Sequence, residues 1–155
     1  MKRSAQAFSI CASLLLCGLF CVGAVAQTPT EAGKALDQAI AGAHRTPAFR
    51  ERDRYRHPKE TLLFFGFRPD MHVGEIWPGD GWYTEILAPA LRAKGRYYAA
   101  HYAVDAKLSD YRRERRQIYL DKLARQPVLY DRVVVTGIQA PEHNELAPLG
   151  SLDLC

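Results

Sequence analysis

A tight glycine loop stands where an apolar run gives way to a helical pattern. Residues 73–84 read VGEIWPGDGWYT, in which Gly79 and Gly81 flank Asp80. A loop that joins a strand to a helix directs backbone N–H groups and the positive end of the helix dipole toward one edge of the sheet. Open α/β sheets bind their ligands at that carboxyl edge. The loop is therefore the first candidate for a binding site.

Three classes of ligand use a glycine loop of this kind. A nucleoside triphosphate loop requires Lys and then Ser or Thr after its last glycine, whereas Trp82 and Tyr83 follow Gly81 here. A dinucleotide loop has a third glycine where this chain has Thr84, and the second predicted strand does not end in a clear acid. A loop for S-adenosylmethionine needs two glycines and no third, because this ligand carries no phosphate. The third class fits the residues best.

Two acidic side chains are placed to contact a ligand in this loop. Glu75 lies at the end of the first predicted strand, where it can accept from the ligand's ammonium group or hold the loop through hydrogen bonds. Asp80 suits either a second acceptor for the ligand or a cap for the helix that follows. The residues leave both alternatives open at each position.

The elements that position the loop follow from hydrophobic patterning. Helices are predicted over residues 31–43, 58–66, 83–94 and 108–125, and strands over residues 72–77, 96–102 and 132–138. The alternation of strand and helix predicts an α/β fold with a parallel sheet and right-handed crossovers. Residues 151–155 predict the start of a fourth strand.

Individual residues add detail to these elements. Pro89 lies inside the helix predicted over 83–94 and indicates a kink or a distorted turn. The third strand is β-branched and apolar enough to be buried on both faces. Residues 48–57 carry mostly charge and are expected in solvent. The inner face of the last helix is predicted to consist of Leu108, Tyr111, Ile118, Tyr119 and Leu123.

The first 26 residues have the pattern of a secretory signal peptide. Lys2 and Arg3 precede an apolar stretch that ends in an A-x-A cleavage site before Gln27. The protein is therefore expected in the periplasm or outside the cell, with no stable membrane anchor after cleavage. The rest of the chain suits one modest domain.

Charge and composition disfavour several classes of partner. The net charge of +4 falls to about +2 once Lys2 and Arg3 are removed, which is too weak to indicate nucleic acid or a membrane surface. Of the four cysteines only Cys155 lies beyond the signal, so an internal disulfide is not expected. The five histidines share no metal-ligand spacing, and no metal site is predicted.

Two polar clusters have ordinary interpretations. Residues 112–116 form a basic run that is expected to be a solvated helix face, with an anion- or partner-binding patch as the alternative. Residues 142–145, EHNE, are expected to form a solvated loop rather than a catalytic cluster. Neither cluster is predicted to be a site.

The stretch EIWPGDGWYTEILAPAL resembles the first motif of class I S-adenosylmethionine-dependent methyltransferases. It is most similar to an exported bacterial branch of predicted methyltransferases, and the segments RYRHPKETLLFFGFRPDM and GRYYAAHY support that similarity. The resemblance covers about residues 36–154. It implies a Rossmann-like parallel sheet with helices on both faces, S-adenosylmethionine as cofactor, and methyl transfer to an acceptor that the sequence does not identify.

The resemblance also implies which residues hold the cofactor. Glu75, Gly79 and Gly81 correspond to the methionine end of the ligand, and His101 stands where an acid usually holds the ribose hydroxyls. The implied cofactor-binding set is Glu75, Pro78, Gly79, Asp80, Gly81 and His101. Trp82 and Tyr83 then begin the helix, where they pack either into the core, which is the favoured role, or beside the ligand.

Two departures from the family pattern weaken the implied site. Trp77 occupies the position of a third glycine, which predicts a tighter and bulkier loop. His101 replaces the ribose-binding acid, and the nearest acid is Asp105. A neutral imidazole still forms hydrogen bonds, but it cannot accept two hydroxyls as a carboxylate can. A structural role is the alternative for His101.

The resemblance implies three segments and an incomplete domain. Residues 1–26 are the signal peptide, 27–57 a helical and charged lead-in, and 58–155 the cofactor part of a methyltransferase-like domain. Three strands and the start of a fourth imply the N-terminal part of a longer protein, with no catalytic residue that can be named. Two other outcomes stay open: a non-catalytic periplasmic binding module on a degenerate methyltransferase fold, or an inactive gene fragment.

Overall fold

The computed structural model describes residues 30–104 and 108–155. The predicted signal peptide and Asp105 lie outside these residues. The elements follow in the order α1 (Glu31–Ala41), α2 (Pro47–Arg56), α3 (Pro58–Phe64), β1 (His72–Ile76), α4 (Thr84–Leu91), β2 (Arg96–Tyr102), α5 (Asp110–Arg125), α6 (Pro127–Tyr130), β3 (Val133–Gln139) and β4 (His143–Glu145). No helix of the described ranges is long and apolar enough to cross a membrane.

The strands form one four-stranded sheet in the order β1-β2-β3-β4. Strands β1, β2 and β3 are parallel, with Glu75 opposite Ala99 and Ala99 opposite Val135. The α/β prediction is confirmed. The prediction of a wholly parallel sheet is wrong at one edge, because β4 turns back from β3 and pairs with it in antiparallel orientation. Residues 143–145 are exposed, as expected. They nevertheless extend the sheet, because the chain reverses direction after β3 and their backbone can form hydrogen bonds with the edge of that strand.

The end of the chain returns to the other edge of β1. Leu154 forms a single parallel bridge with Val73, and its carbonyl accepts from the Gly74 amide at 2.9 Å. The Asp153 amide donates to the His72 carbonyl, also at 2.9 Å. The predicted start of a fourth strand is present as this one bridge.

Helices α4 and α5 pack against the face of the sheet that carries Tyr97, Ala99 and His101. Thr84 of α4 and Tyr119 of α5 are joined to Tyr97 through hydroxyl groups, and the ring of His101 lies 5.3 Å from that of Tyr119. The buried core forms here because these inward positions are apolar or hydrogen-bonded. Its members include Leu36, Val73, Ile86, Leu91, Tyr97, Ala99 and Tyr119.

The opposite face carries residues such as Gly74 and Tyr98. A side chain at Gly74 would meet Leu152 and Leu146 within 3.2 Å, so the C-terminal segment packs closely there. The helices that contact the sheet in the described ranges lie on the core face, which corrects the prediction of helices on both faces. Every residue of β3 is half-buried, including Val133 and Val135, which pack against the core, so the prediction of a strand buried on both faces is wrong.

Helix α4 continues through Pro89 because another residue replaces the missing backbone donor. Proline has no N–H, so the carbonyl of Glu85, four residues earlier, loses its helical partner. The His44 ring occupies that position, with Nε2 2.7 Å from the Glu85 carbonyl oxygen. The neighbouring apolar side chains of Ile86 and Leu87 are buried, as the pattern predicted.

Other boundaries differ from the predictions in particular ways. Residues 47–56 contain no buried residue, which confirms solvent exposure, yet they form helix α2, whose first turn begins with Pro47. The four-residue helix α6 was not predicted. Of the residues predicted to line the inner face of the last helix, Tyr119 is buried, Leu123 is partly buried and Tyr111 is 65% exposed. Leu108 is buried but precedes the first residue of α5.

Ile118 is also exposed, because it points about 100° away from Tyr119 around the helix axis. Arg116, one turn before Tyr119 on α5, also points inward, toward the ends of the strands. The Arg116 guanidinium donates to the carbonyls of Tyr102 and Thr136, at 3.0 and 3.1 Å. A charge that satisfies strand carbonyls thus replaces the apolar contact that hydrophobic patterning predicts.

Candidate functional site

The glycine loop runs from the end of β1 to the start of α4, as predicted. Its two glycines have positive φ values, +58° for Gly79 and +86° for Gly81, so both backbones favour glycine. Their surroundings differ. A side chain at Gly79 would meet nothing within 4 Å, whereas one at Gly81 would meet Thr84 and Tyr119 at 3.2 Å. Gly79 therefore leaves open space beside the loop, and Gly81 allows close packing within the protein.

Glu75 lies near the end of β1, next to this loop. Its Oε2 accepts a hydrogen bond from the Tyr97 hydroxyl. Burial raises the pKa of Glu75 to about 7, although the hydrogen bond from Tyr97 and the charge of Arg56 both oppose the rise. No ion pair involves Glu75 in the described ranges of the chain. The carboxyl group therefore titrates closer to neutral pH than an ordinary glutamate does.

Three buried hydroxyl groups extend from Glu75 into the core. The Tyr97 hydroxyl lies 3.0 Å from Thr84 Oγ1, which lies 3.0 Å from the Tyr119 hydroxyl. Thr84 and Tyr119 are fully buried. Burial, together with the charge of Glu75, raises the pKa of Tyr97, so these hydroxyls stay protonated. The chain links β1, β2, α4 and α5 behind the glycine loop.

His101 ends the buried part of β2 beside the same loop. Its ring is buried, and its Nδ1 accepts from the Tyr102 amide at 2.8 Å. Burial lowers the pKa of His101 even though the Gly79 backbone opposes the change, and Arg116 lowers it further. A neutral ring that accepts at Nδ1 carries its hydrogen on Nε2.

His101 Nε2 is buried without a hydrogen-bond partner of normal geometry in residues 30–104 and 108–155. Because an unpaired buried N–H is costly, the Nε2–H group of His101 would gain from a hydrogen-bond acceptor. The Gly79 backbone is close enough to influence the ring. The structure therefore places His101 beside the loop, but its 1% exposure means that a ligand reaches Nε2 only if the loop shifts.

Asp80 lies at the exposed tip of the loop. One carboxylate oxygen lies 3.5 Å from Arg115, and its carbonyl accepts from Lys122 at 2.9 Å. Helix α4 has no side-chain hydrogen bond at its N-terminus, so the capping role considered for Asp80 is wrong. Arg115 and Lys122 instead tie the loop tip to α5. Pro78, which starts the loop, is buried.

Trp82 and Tyr83 follow the loop, where the sequence left two roles open. Trp82 is 5% exposed, and its Nε1 donates to the Phe49 carbonyl and to Asp53, both at 3.0 Å. Core packing is therefore confirmed for Trp82. Tyr83 is half-buried and packs against the same core. Trp82 therefore ties helix α2 to the end of the glycine loop.

A buried cluster of charged residues surrounds Glu85 on α4, and the sequence analysis did not predict it. Glu85 is fully buried, and its carboxylate receives hydrogen bonds from Thr46, Arg45 and Lys122, the last at 2.6 Å. Burial acts to raise the pKa of Glu85, but the bonds from Lys122 and Thr46 outweigh it and lower the pKa. The Arg45 guanidinium also pairs with Asp53 at 3.0 Å. The carboxylate stays ionised and joins α4 and α5 to the segment before α2.

Sequence reasoning missed the partners of the site because they come from distant parts of the chain. Tyr97 and Tyr119 lie 22 and 44 positions after Glu75. The sequence singles out Thr84 only as the residue in place of a third glycine. A signal for Tyr97 existed, since a tyrosine near the start of a buried strand must find a partner for its hydroxyl. No group of three or more potential metal ligands occurs in the part of the chain that the structure describes.

Comparison with known proteins finds no relative of this chain. No family model, no curated protein and no solved structure matches the chain. Function is therefore inferred from the geometry of the loop and its neighbours.

Proposed function

We propose that this chain is an S-adenosylmethionine-dependent methyltransferase-like protein that holds its cofactor at the glycine loop. The observation that carries the proposal is the buried Glu75 carboxyl group, which has no ion pair among the described residues and lies near the end of β1, four positions before the open backbone of Gly79. Such a site suits a ligand with cationic groups and no phosphate. A phosphate at the same place would be repelled by the Glu75 carboxyl group whenever that group is ionised.

The order of the strands supports a Rossmann-like arrangement. The chain moves outward from β1 through β2 to β3, and later places Leu154 beside Val73 on the other edge of β1. The direction of strand addition therefore reverses at β1. Ligands of open α/β sheets bind at the carboxyl end of the strands where such a reversal occurs. The glycine loop directly follows β1.

The backbone at Trp77 also supports the resemblance to methyltransferases. Its φ of +53° lies in the left-handed region that favours glycine, and the family pattern has a glycine at this position. The loop thus has the backbone conformation of that glycine although the side chain differs. The Trp77 ring is 61% exposed and leaves the space at Gly79 free.

The reaction we propose is methyl transfer to an unidentified acceptor. The methyl group of the sulfonium is already activated, so alignment of donor and acceptor supplies much of the rate. In this account Glu75 and the loop amides bind and orient the donor. We assign no catalytic base among residues 30–104 and 108–155.

A non-catalytic binding module is the second candidate, and His101 favours it. The ring lies where the family has a ribose-binding acid, yet it is buried and uses Nδ1 to accept from the Tyr102 amide. A ribose bound there would lack the two acceptor oxygens of a carboxylate. Binding of S-adenosylmethionine without methyl transfer to any acceptor would favour this candidate.

Calorimetric titration of S-adenosylmethionine into the purified protein tests the proposal. We expect micromolar binding by the wild type and no measurable binding by Gly79→Arg, because the arginine fills the open space beside the loop. Gly66→Arg is the matched control. Gly66 also has a positive φ, +75°, and a side chain at this position would meet nothing within 4 Å, but it precedes β1 and lies away from the loop that follows this strand.

The control separates loss of the site from loss of the fold. Both variants place an arginine at a glycine with positive φ and open surroundings, so their backbone strain is similar. Equal binding by Gly79→Arg and Gly66→Arg would contradict the proposed site. Absence of binding by a folded wild type would contradict the cofactor itself.

A further inference from the structure

The hydroxyl chain behind Glu75 can serve the carboxyl group in either of its protonation states. When Glu75 is ionised, the Tyr97 hydroxyl donates to it, Thr84 donates to Tyr97, and Tyr119 donates to Thr84. When Glu75 is protonated, every donor in the chain can reverse, since each hydroxyl is both a donor and an acceptor. Each of the three hydroxyls keeps a partner within the chain in either state.

The groups that face Glu75 do not hold its carboxyl group in a single protonation state. Tyr97 on β2, Tyr83 at the start of α4 and Tyr119 on α5 are neutral phenols that interact with its charge. Arg56, at the end of α2, is the cation that acts on it, but Arg56 is exposed and lies over the Trp82 ring at 5.0 Å. An exposed arginine is screened by water and compensates a desolvated carboxylate weakly.

We propose that Glu75 exchanges its proton for the cationic centre of the ligand. Below neutral pH the carboxyl group of the empty site holds a proton, and ligand binding releases that proton to solvent and leaves a carboxylate beside the bound cation. The hydroxyl chain of Tyr97, Thr84 and Tyr119 reverses its hydrogen bonds as this happens. The inference rests on the proposed function and adds proton-linked regulation of the same site.

The sign of the pH dependence follows from the protonation of the empty site. Burial raises the pKa of Glu75 to about 7, so protons compete with the cationic ligand below pH 7 and do not compete well above it. Affinity should therefore rise with pH and level off. For a pKa of about 7 the titration of Glu75 alone makes the affinity at pH 6 about tenfold weaker than at pH 8.

The experiment is calorimetric titration of S-adenosylmethionine at pH 6, 7 and 8, in buffers that differ in ionisation enthalpy. The dependence of the heat on the buffer counts the protons released. The control is Glu75→Gln, which keeps the shape of the side chain but cannot ionise. It also reports the titration of the ligand's own amino group, which has a pKa of about 8.

We expect proton release and the tenfold pH effect in the wild type. In Glu75→Gln we expect only the pH dependence and proton exchange that come from the ligand's own amino group. Tyr97→Phe removes the donor that favours the carboxylate, so it should raise the pKa of Glu75 and shift the affinity profile to higher pH. Tyr130→Phe is its matched control. The Tyr130 hydroxyl is also buried, but it has no hydrogen-bond partner among the described residues, and its loss should leave the profile unchanged.

The outcomes separate this inference from the proposed function. Binding with the same pH profile in wild type and Glu75→Gln would overturn the proton exchange and leave the cofactor site intact. Absence of binding at every pH by a folded protein would overturn both. S-adenosylhomocysteine keeps the ammonium group and lacks the sulfonium charge. Proton release that persists with it supports exchange against the ammonium, and release seen only with S-adenosylmethionine supports exchange against the sulfonium.

Discussion

At the scale of single residues, two carboxyl groups on either side of the glycine loop have opposite environments. Burial raises the pKa of Glu75, and its single hydroxyl donor, with no ion pair in the described ranges, does not outweigh that effect. Burial acts to raise the pKa of Glu85, but the bonds from Lys122 and Thr46 outweigh it and lower the pKa, and Arg45 pairs with the same carboxylate. The first arrangement keeps a carboxyl group available for a ligand, and the second keeps a carboxylate fixed in the structure.

Glu85→Gln should destabilise the protein strongly. The substitution leaves the fully buried Arg45 side chain with only Asp53 as a charged partner, and loss of one member of a buried ion pair costs about 3 kcal/mol. Urea denaturation measures the loss. Asp131→Asn is the control, because the Arg92–Asp131 pair is exposed, and its midpoint should stay close to that of the wild type. Similar losses for both variants would show that the Glu85 cluster is not structural.

The sequence could identify the residues of the loop but not the surroundings of each residue in the folded protein. Gly79 and Glu75 follow from the motif and from the end of a strand. The difference between the open space at Gly79 and the packed position of Gly81 depends on Tyr119, which comes from α5. Such a contact has no local pattern in the sequence, because it depends on how two helices pack on one face of the sheet.

At the scale of elements, helix α4 shows how a local defect is compensated from another part of the chain. Pro89 removes a backbone donor, and His44, between α1 and α2, supplies a side-chain donor to the Glu85 carbonyl. The same short segment contains Arg45 and Thr46, which bind the Glu85 carboxylate. The lead-in helices are thereby fixed to the helix that begins at the glycine loop.

His44→Ala should destabilise the protein by about 1 kcal/mol, because it leaves the Glu85 carbonyl without its donor. In a Pro89→Ala background the new backbone N–H can donate to that carbonyl, so the same substitution should cost less. A double-mutant cycle measured by urea denaturation gives the difference. An equal cost in both backgrounds would mean that His44 does not replace the missing helical bond.

Element prediction worked best where pattern and burial agree. Strand β2 has the predicted bounds, and the strands β1 and β3 are within one residue at each end. Prediction failed on α5, where the positions of Tyr111 and Ile118 are exposed and Arg116 is drawn to the strand carbonyls. It also missed α2, because its charged residues give no apolar stripe that would indicate a helix.

At the scale of the whole molecule, the α/β class was predictable and the layering was not. Alternating strands and helices predicted the parallel β1-β2-β3 core. The cover on each face depends on tertiary packing, and the described helices contact the face of Tyr97 while Leu146 and Leu152 pack beside Gly74 on the other. A cleft of about 1090 Å³ lies beside β3 and β4, with Thr136 among its lining residues. This cleft is the competing location for a ligand.

An NMR titration of the isotopically labelled protein with S-adenosylmethionine shows most directly whether the glycine loop binds this cofactor. Backbone amide signals report each position separately, so the glycine loop and the cleft beside β3 and β4 can be distinguished in one experiment. We predict that the largest shifts occur at Gly79, Asp80 and Gly81, with little change at Gly66. The largest shifts at Thr136 and its neighbours in the cleft, or no shifts in a folded protein, would show that the glycine loop is not the cofactor site.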